Sequence, residues 1–139
     1  MNRTIHATAV SIGGAGVLLL GEPGCGKSDL ALRLIDRGAR LVADDRVIAL
    51  AEDGELRLSA PETLKGLIEV RGVGILAMPF ETGVRACLAV RFSERPERLP
   101  ERELLLVEGV SLPALWLAPF EASTPIKVEL AVAQVAARG

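Results

Sequence analysis

AGVLLLGEPGCGKSDLALRLIDRG, residues 15–38, decides how this chain must fold. Residues 15–20 form a continuous apolar run. A strand covered on both faces reads this way, because it has no solvent side to alternate with. Residues 27–37 place Leu30, Ala31, Leu34 and Ile35 at helical spacing, giving the helix one apolar face. Gly38 stands where a helix commonly ends in a left-handed C′ residue. Between strand and helix lies Gly21-x4-Gly26-Lys27-Ser28, the pattern of a phosphate-binding loop. Glycines let the backbone turn its N–H groups inward, and the helix N-terminus adds unpaired donors and a positive dipole end. Lys27 is then placed to reach the β- and γ-phosphates of a nucleotide, and Ser28 to bind Mg2+. An ordinary glycine turn before a helix does not require Lys-Ser. Cys25 reads as a passive position, since such a loop works through its backbone.

Residues 40–44 read as the next buried strand, ending in Asp44-Asp45. A strand–helix–strand unit of this length is a parallel crossover, so both strands finish at one edge of the sheet. Ligands of such sheets bind beyond the carboxyl ends of the strands. The Asp pair therefore arrives beside the loop. One carboxylate can help hold the metal, and the other can take a proton from an attacking hydroxyl. An Asp capping a strand-to-turn corner is the plainer alternative, more so for Asp44.

Outside this unit, residues 4–12 alternate and read as a strand before Gly13-Gly14. Asp53-Gly54 marks a hairpin between 47–50 and 56–58. Further strands are predicted at 67–70, 73–78, 85–92 and 104–108. Residues 93–103 are charged and Pro-containing, the pattern of a surface loop. A helix is predicted over 124–137, with Pro125 in its first turn. The fold class is α/β: a sheet containing the phosphate loop, flanked by helices, with residues 1–139 as a single domain.

Composition narrows the function. Half the residues are hydrophobic but only three Phe and one Trp occur, so the core must be built from Leu, Val, Ile and Ala. A net charge of −2 offers no broad basic surface, which argues against nucleic-acid binding. The apolar stretch 9–20 is broken by Gly13, Gly14 and Gly16 and falls short of the roughly 20 residues a bilayer demands, so no membrane association is expected. Two cysteines make no disulfide framework, and Cys25 in the loop fits a reducing, cytoplasmic setting.

Within the otherwise apolar 67–77 stand Glu69 and Arg71, two apart and so on one face of a strand. A surface ion pair explains them as well as a metal or phosphate role does. His6, the only histidine, reads as structural from composition alone.

Three segments together, GEPGCGKSDLALRLIDRG at 21–38, RGARLVADDRV at 37–47 and LIEVRGVGIL at 67–76, resemble the catalytic domain of the HPr kinase/phosphorylases. The likeness runs over about residues 4–80. It implies an ATP-dependent serine kinase acting on an HPr-type phosphocarrier protein of the sugar phosphotransferase system. By position, the resemblance gives Asp45 the role of proton acceptor for the serine hydroxyl and Lys27 that of phosphate-binding lysine. It makes Ser28 and Glu69 the Mg2+ ligands and puts His6 in the active site. Arg98 falls near a family arginine. The nucleotide cradle comprises Gly21, Glu22, Pro23, Gly24, Cys25, Gly26, Lys27 and Ser28. ATP and Mg2+ are the implied cofactors, and hexamers the implied assembly.

Two departures refine the expectation. With the loop starting at residue 21, the N-terminal domain of most family members is expected to be absent. Residues 119–124 (PFEAST) lack the arginines that the family ties to its reverse, dephosphorylating reaction, so a one-way kinase is expected. Two rivals use the same residues: a kinase or NTPase with a small-molecule substrate, and an ATP-sensing module without catalysis. An intact Lys27, Ser28, Asp45 and Glu69 count against the sensor.

Overall fold

A computed structural model describes residues 2–138. The chain runs β1 (Asn2–Ile5), β2 (Ala7–Ile12), β3 (Ala15–Leu20), α1 (Lys27–Asp36), β4 (Arg40–Ala43), β5 (Val47–Glu52) and β6 (Glu55–Ser59). A short 3-10 turn at Glu62–Leu64 leads to β7 (Leu67–Val70) and β8 (Gly74–Ala77), and then to β9 (Val84–Phe92), β10 (Glu103–Val107), β11 (Val110–Leu117) and α2 (Thr124–Ala137).

One sheet of nine strands has the order β1-β5-β6-β9-β3-β2-β4, with β11 also paired to β9 and β10 beyond it. The long strand β9 joins its two parts. Its first residues pair antiparallel with β6, and the rest lie parallel between β3 and β11. Strands β7 and β8 form a separate two-stranded ribbon. Since β2 runs antiparallel to both β3 and β4, those two are parallel with one strand between them. The crossover read from the sequence is therefore present, and both strands end at one edge.

Two apolar clusters fill the two faces of the sheet. Ala7, Ala9, Leu18, Leu56 and Leu58 pack on the face that β5 and β6 close over. Val10, Val17, Leu19, Leu30, Leu34, Ile68 and Val128 pack on the helical face. Neighbouring side chains of β3 thus enter opposite cores, which is why the run at 15–20 has no polar position. The largest fully buried side chains are all Leu, Ile or Val, as the composition required.

Helix α1 ends as predicted. Gly38 is left-handed at φ 110°, its N–H donates to Ile35 O, and Ala39 N–H donates to Leu34 O. This crossed pair of bonds is a Schellman motif. Arg37 then reaches across to Glu129 on α2 with paired bonds of 2.8–3.0 Å. Donating these hydrogen bonds to Glu129 raises the already high pKa of the guanidinium.

Four sequence expectations need correction. Residues 4–12 are two strands, broken at His6 where the chain steps from β1 to β2. Arg71 does not share a strand face with Glu69, because β7 ends at Val70 and Arg71 lies in the turn. The ribbon pairs only with itself, so β8, expected over 73–78, is exposed at all four residues. Strand β11 was not foreseen, since Pro113 interrupts its pattern.

Candidate functional site

The loop between β3 and α1 folds around the Lys27 ammonium. Lys27 is buried, and its Nζ donates to Gly21 O at 2.6 Å and Glu22 O at 3.1 Å. A lysine carries three N–H donors, so one is left for a ligand. Gly26, the N-cap of α1, has φ 106° and contributes no side-chain cap. The first N–H groups of the helix thus stay free for an anion. Cys25 is less passive than the sequence implied. Its Sγ sits 2.5 Å from where a Cβ on Gly21 would fall, so the thiol fills space that only a glycine leaves.

Asp44 is the hub of the site. Its Oδ1 accepts from Ser28 Oγ at 2.6 Å and from Thr8 Oγ1 at 3.3 Å. Its Oδ2 accepts from the Glu69 N–H at 3.1 Å. One carboxylate thereby ties together α1, β2 and the β7–β8 ribbon. Because Ser28 gives its proton to Asp44, its lone pairs are left for a cation. The sequence left open which aspartate would stand on the metal side, and in this geometry it is Asp44 that meets the loop serine. Thr8, fully buried, was missed. Its only signal was a hydroxyl inside a core strand, opposite the Asp pair once β2 is paired with β4.

Asp45 is built differently. Arg46 N–H closes back onto Asp44 O at 2.7 Å, and Asp45 between them has φ 66°. This is a γ-turn with positive φ at its centre, a rare and strained form. Thr8 Oγ1 accepts the Asp45 N–H at 3.3 Å and braces the turn. Among the described residues, Asp45 enters hydrogen bonds through this N–H alone, leaving its carboxylate free. Asp45 lines a cavity of about 470 Å³ together with Lys27, Ser28, Asp44, Glu69, Arg71 and Phe120.

Six of the predicted residues, Pro23, Gly24, Gly26, Lys27, Ser28 and Glu69, meet Asp45 around this cavity, while Gly21, Glu22 and Cys25 complete the loop behind it. His6 does not line it. It is exposed at the step between β1 and β2. The pairs Ile5–Val47 and Ala9–Ala43 stand in one register, so His6 falls opposite Arg46, next to Asp45. Arg98 lies in the exposed segment between β9 and β10, away from the cavity.

The donor set suits Mg2+: a hydroxyl with free lone pairs and hard carboxylate oxygens from Asp44 and Glu69 face one cavity. Among the described residues no three His, Cys, Asp or Glu side chains form a ready-made cage. Mg2+ is ordinarily held through one or two carboxylates plus substrate phosphates.

A buried strand, a Gly-x4-Gly-Lys-Ser loop, a helix and a parallel strand whose carboxylate grips the loop serine define a protein of the phosphate-loop class. Comparison with known proteins narrows this further. The family model for the HPr serine kinase C-terminal domain matches residues 1–91, and the chain belongs to that family. An HPr kinase/phosphorylase of Peptoclostridium acidaminophilum is 48% identical over 103 residues, which is 73% of this chain and 32% of that relative. Another, from Thermoanaerobacter sp. (strain X514), is 52% identical over 82 residues, 58% of this chain and 27% of the relative. The chain thus spans between about a quarter and a third of the length of the curated relatives it matches. The solved structure of the Hpr(Ser) kinase/phosphatase from Coxiella burnetii superimposes with a TM-score of 0.84 at 28% identity, covering 98% of this chain and 97% of that one.

Proposed function

We propose that this chain is a protein serine kinase that moves the terminal phosphoryl group of ATP onto a serine of an HPr-type phosphocarrier protein. One observation carries the reading: of two adjacent carboxylates, one is fully engaged on the loop serine and the other stands free over the same cavity. A pure nucleotide sensor has use for the first but not for the second. Family membership and the names of the relatives support the serine of HPr as acceptor.

The loop amides and Lys27 grip the terminal phosphates. Asp45 accepts the proton of the incoming serine hydroxyl as its oxygen bonds to phosphorus and the bond to ADP breaks. Thr8 and the γ-turn hold Asp45 in place. Ser28, Asp44 and Glu69 are the residues that would hold Mg2+, which when bound neutralises charge on the β- and γ-oxygens. Arg71, exposed in the ribbon turn at the cavity mouth, is suited to meeting the acceptor protein.

The absence of arginine at 119–124 supports transfer in the forward direction only. Among the described residues, no helix is long and apolar enough to cross a membrane. The expected setting is the reducing cytoplasm, which a free Cys25 in the loop supports, and assembly into hexamers is carried over from the family resemblance.

Transfer of labelled phosphate from ATP to purified HPr tests the proposal. Asp45→Asn should keep ATP binding and lose about 100- to 10,000-fold in transfer, the usual share of a general base. Normal transfer by Asp45→Asn would remove Asp45 from its role. ATP turnover with no label on HPr would favour the small-molecule kinase. Pyrophosphate release from serine-phosphorylated HPr and orthophosphate would count against one-way transfer.

A further inference from the structure

A second hollow of about 470 Å³ opens on the other side of the phosphate loop, between the ends of β9 and β11. Gly24 and Phe120 line both hollows, so the two lie on either side of the same stretch of loop and ring. Their chemistry is opposite. The first gathers Asp44, Asp45 and Glu69 with Lys27. The second presents Phe92 and Phe120, with Glu94 and Glu121 among its lining, and offers no cation. It suits the uncharged end of a ligand and repels phosphate.

Phe120 is the notable residue here. Its side chain is 67% exposed, unusual for a phenyl ring in a chain with so few aromatics. Yet the ring is held. A Cβ on Gly26 would fall 2.9 Å from Phe120 Cζ, so the ring lies against the loop at a point only glycine allows. Arg33 of α1 grips the chain on both sides of it, donating to Pro119 O and, at 3.1 Å, to Glu121 O. Asp29 orients Arg33 at 3.0 Å. A ring fixed on one side and open on the other is a preformed stacking platform.

A nucleotide whose terminal phosphate meets Asp45 must leave the loop at its other end. We propose that the second hollow is the base subsite, and that the purine ring of the nucleotide stacks on Phe120. The proposal rests on the loop binding a nucleoside triphosphate.

Binding of MgATP and of Mg-tripolyphosphate, which has the phosphates without the base, separates the two ideas. The wild-type protein should bind ATP the tighter. Phe120→Ala should weaken ATP about tenfold, within the range for loss of one base–aromatic stack, and leave tripolyphosphate unchanged. Phe120→Trp should keep ATP affinity, and its added fluorescence should be quenched by ATP but not by tripolyphosphate. Equal weakening of both ligands in Phe120→Ala, or an unquenched Trp in a variant that still binds ATP, overturns the base subsite. If the wild-type protein binds neither ligand, the phosphate-site reading itself fails.

Discussion

Asp44→Asn separates the architecture of the site from its electrostatics. The substitution keeps the shape of the side chain and removes its charge. Glu69 N–H, 3.1 Å from Oδ2, can only donate, so the amide oxygen must turn toward it. The NH2 group then faces the Ser28 and Thr8 hydroxyls, which can accept as well as donate. Every group keeps a partner, so stability should move by less than about 1 kcal/mol. Ser28 is what reverses. One of its lone pairs is taken by the amide, and its proton swings toward the cavity. A divalent cation there loses both a carboxylate charge and an acceptor. Hydrogen bonds to charged groups are worth about 1.5–3 kcal/mol, which corresponds to a 10- to 100-fold rise in the Mg2+ needed for half-maximal transfer. Mg2+ titration of the labelled-phosphate assay, alongside thermal melts, measures both quantities. An unchanged Mg2+ requirement would refute Asp44 as the support of the cation site. A loss of stability beyond about 2 kcal/mol would mean that a buried donor was left unpaired and the bonding scheme is wrong.

Three further predictions follow from the same geometry. Lys27→Ala removes the ammonium that bonds Gly21 O and Glu22 O and should weaken ATP about 10- to 100-fold by calorimetry, as loss of a charged partner implies. Undiminished binding would remove Lys27 from the phosphate site. Glu69→Ala should raise the Mg2+ requirement without a drop in melting temperature, because the ribbon is tied to Asp44 through the Glu69 backbone; a matching loss of stability would contradict this. Leu18→Ala empties a fully buried position between β2, β5 and β6 and should cost about 2–5 kcal/mol in denaturant unfolding. A cost under about 1 kcal/mol would mean that this core collapses around the gap.

Legibility in the sequence followed physical locality. The strand at 15–20, the loop and the helix with its glycine stop were readable because each is fixed by neighbours in sequence. The Asp pair could be placed beside the loop because a parallel crossover has few alternatives. Roles within the pair were not readable. They depend on Thr8 and on the Glu69 N–H, which reach Asp44 only through long-range pairing. Strand β11 was hidden by Pro113, and its register explains why the proline is tolerated. Pairing with β9 starts at Ala114, so Pro113 lies outside the doubly paired part of β11, where a strand tolerates proline. Of the apolar run at 67–77, only Ile68 is buried in the core, with Val70 packed partly against it.

The seam between the two halves of the sheet leaves the chain no slack. Strands β1 and β5 meet in the register that the Ala9–Ala43 pair holds at the near end of the β2–β4 ladder, before that ladder shifts by one residue between Ala9 and Val10, and the crossing from one ladder to the other takes the residues around His6 on one strand and Asp44 to Arg46 on the other. A single residue inserted on either strand would turn every side chain of β1 to the opposite face. The spacing of the segment that carries Asp45 is therefore as constrained as its composition. Variation in length has room instead in the exposed stretch between β9 and β10, which no ladder measures.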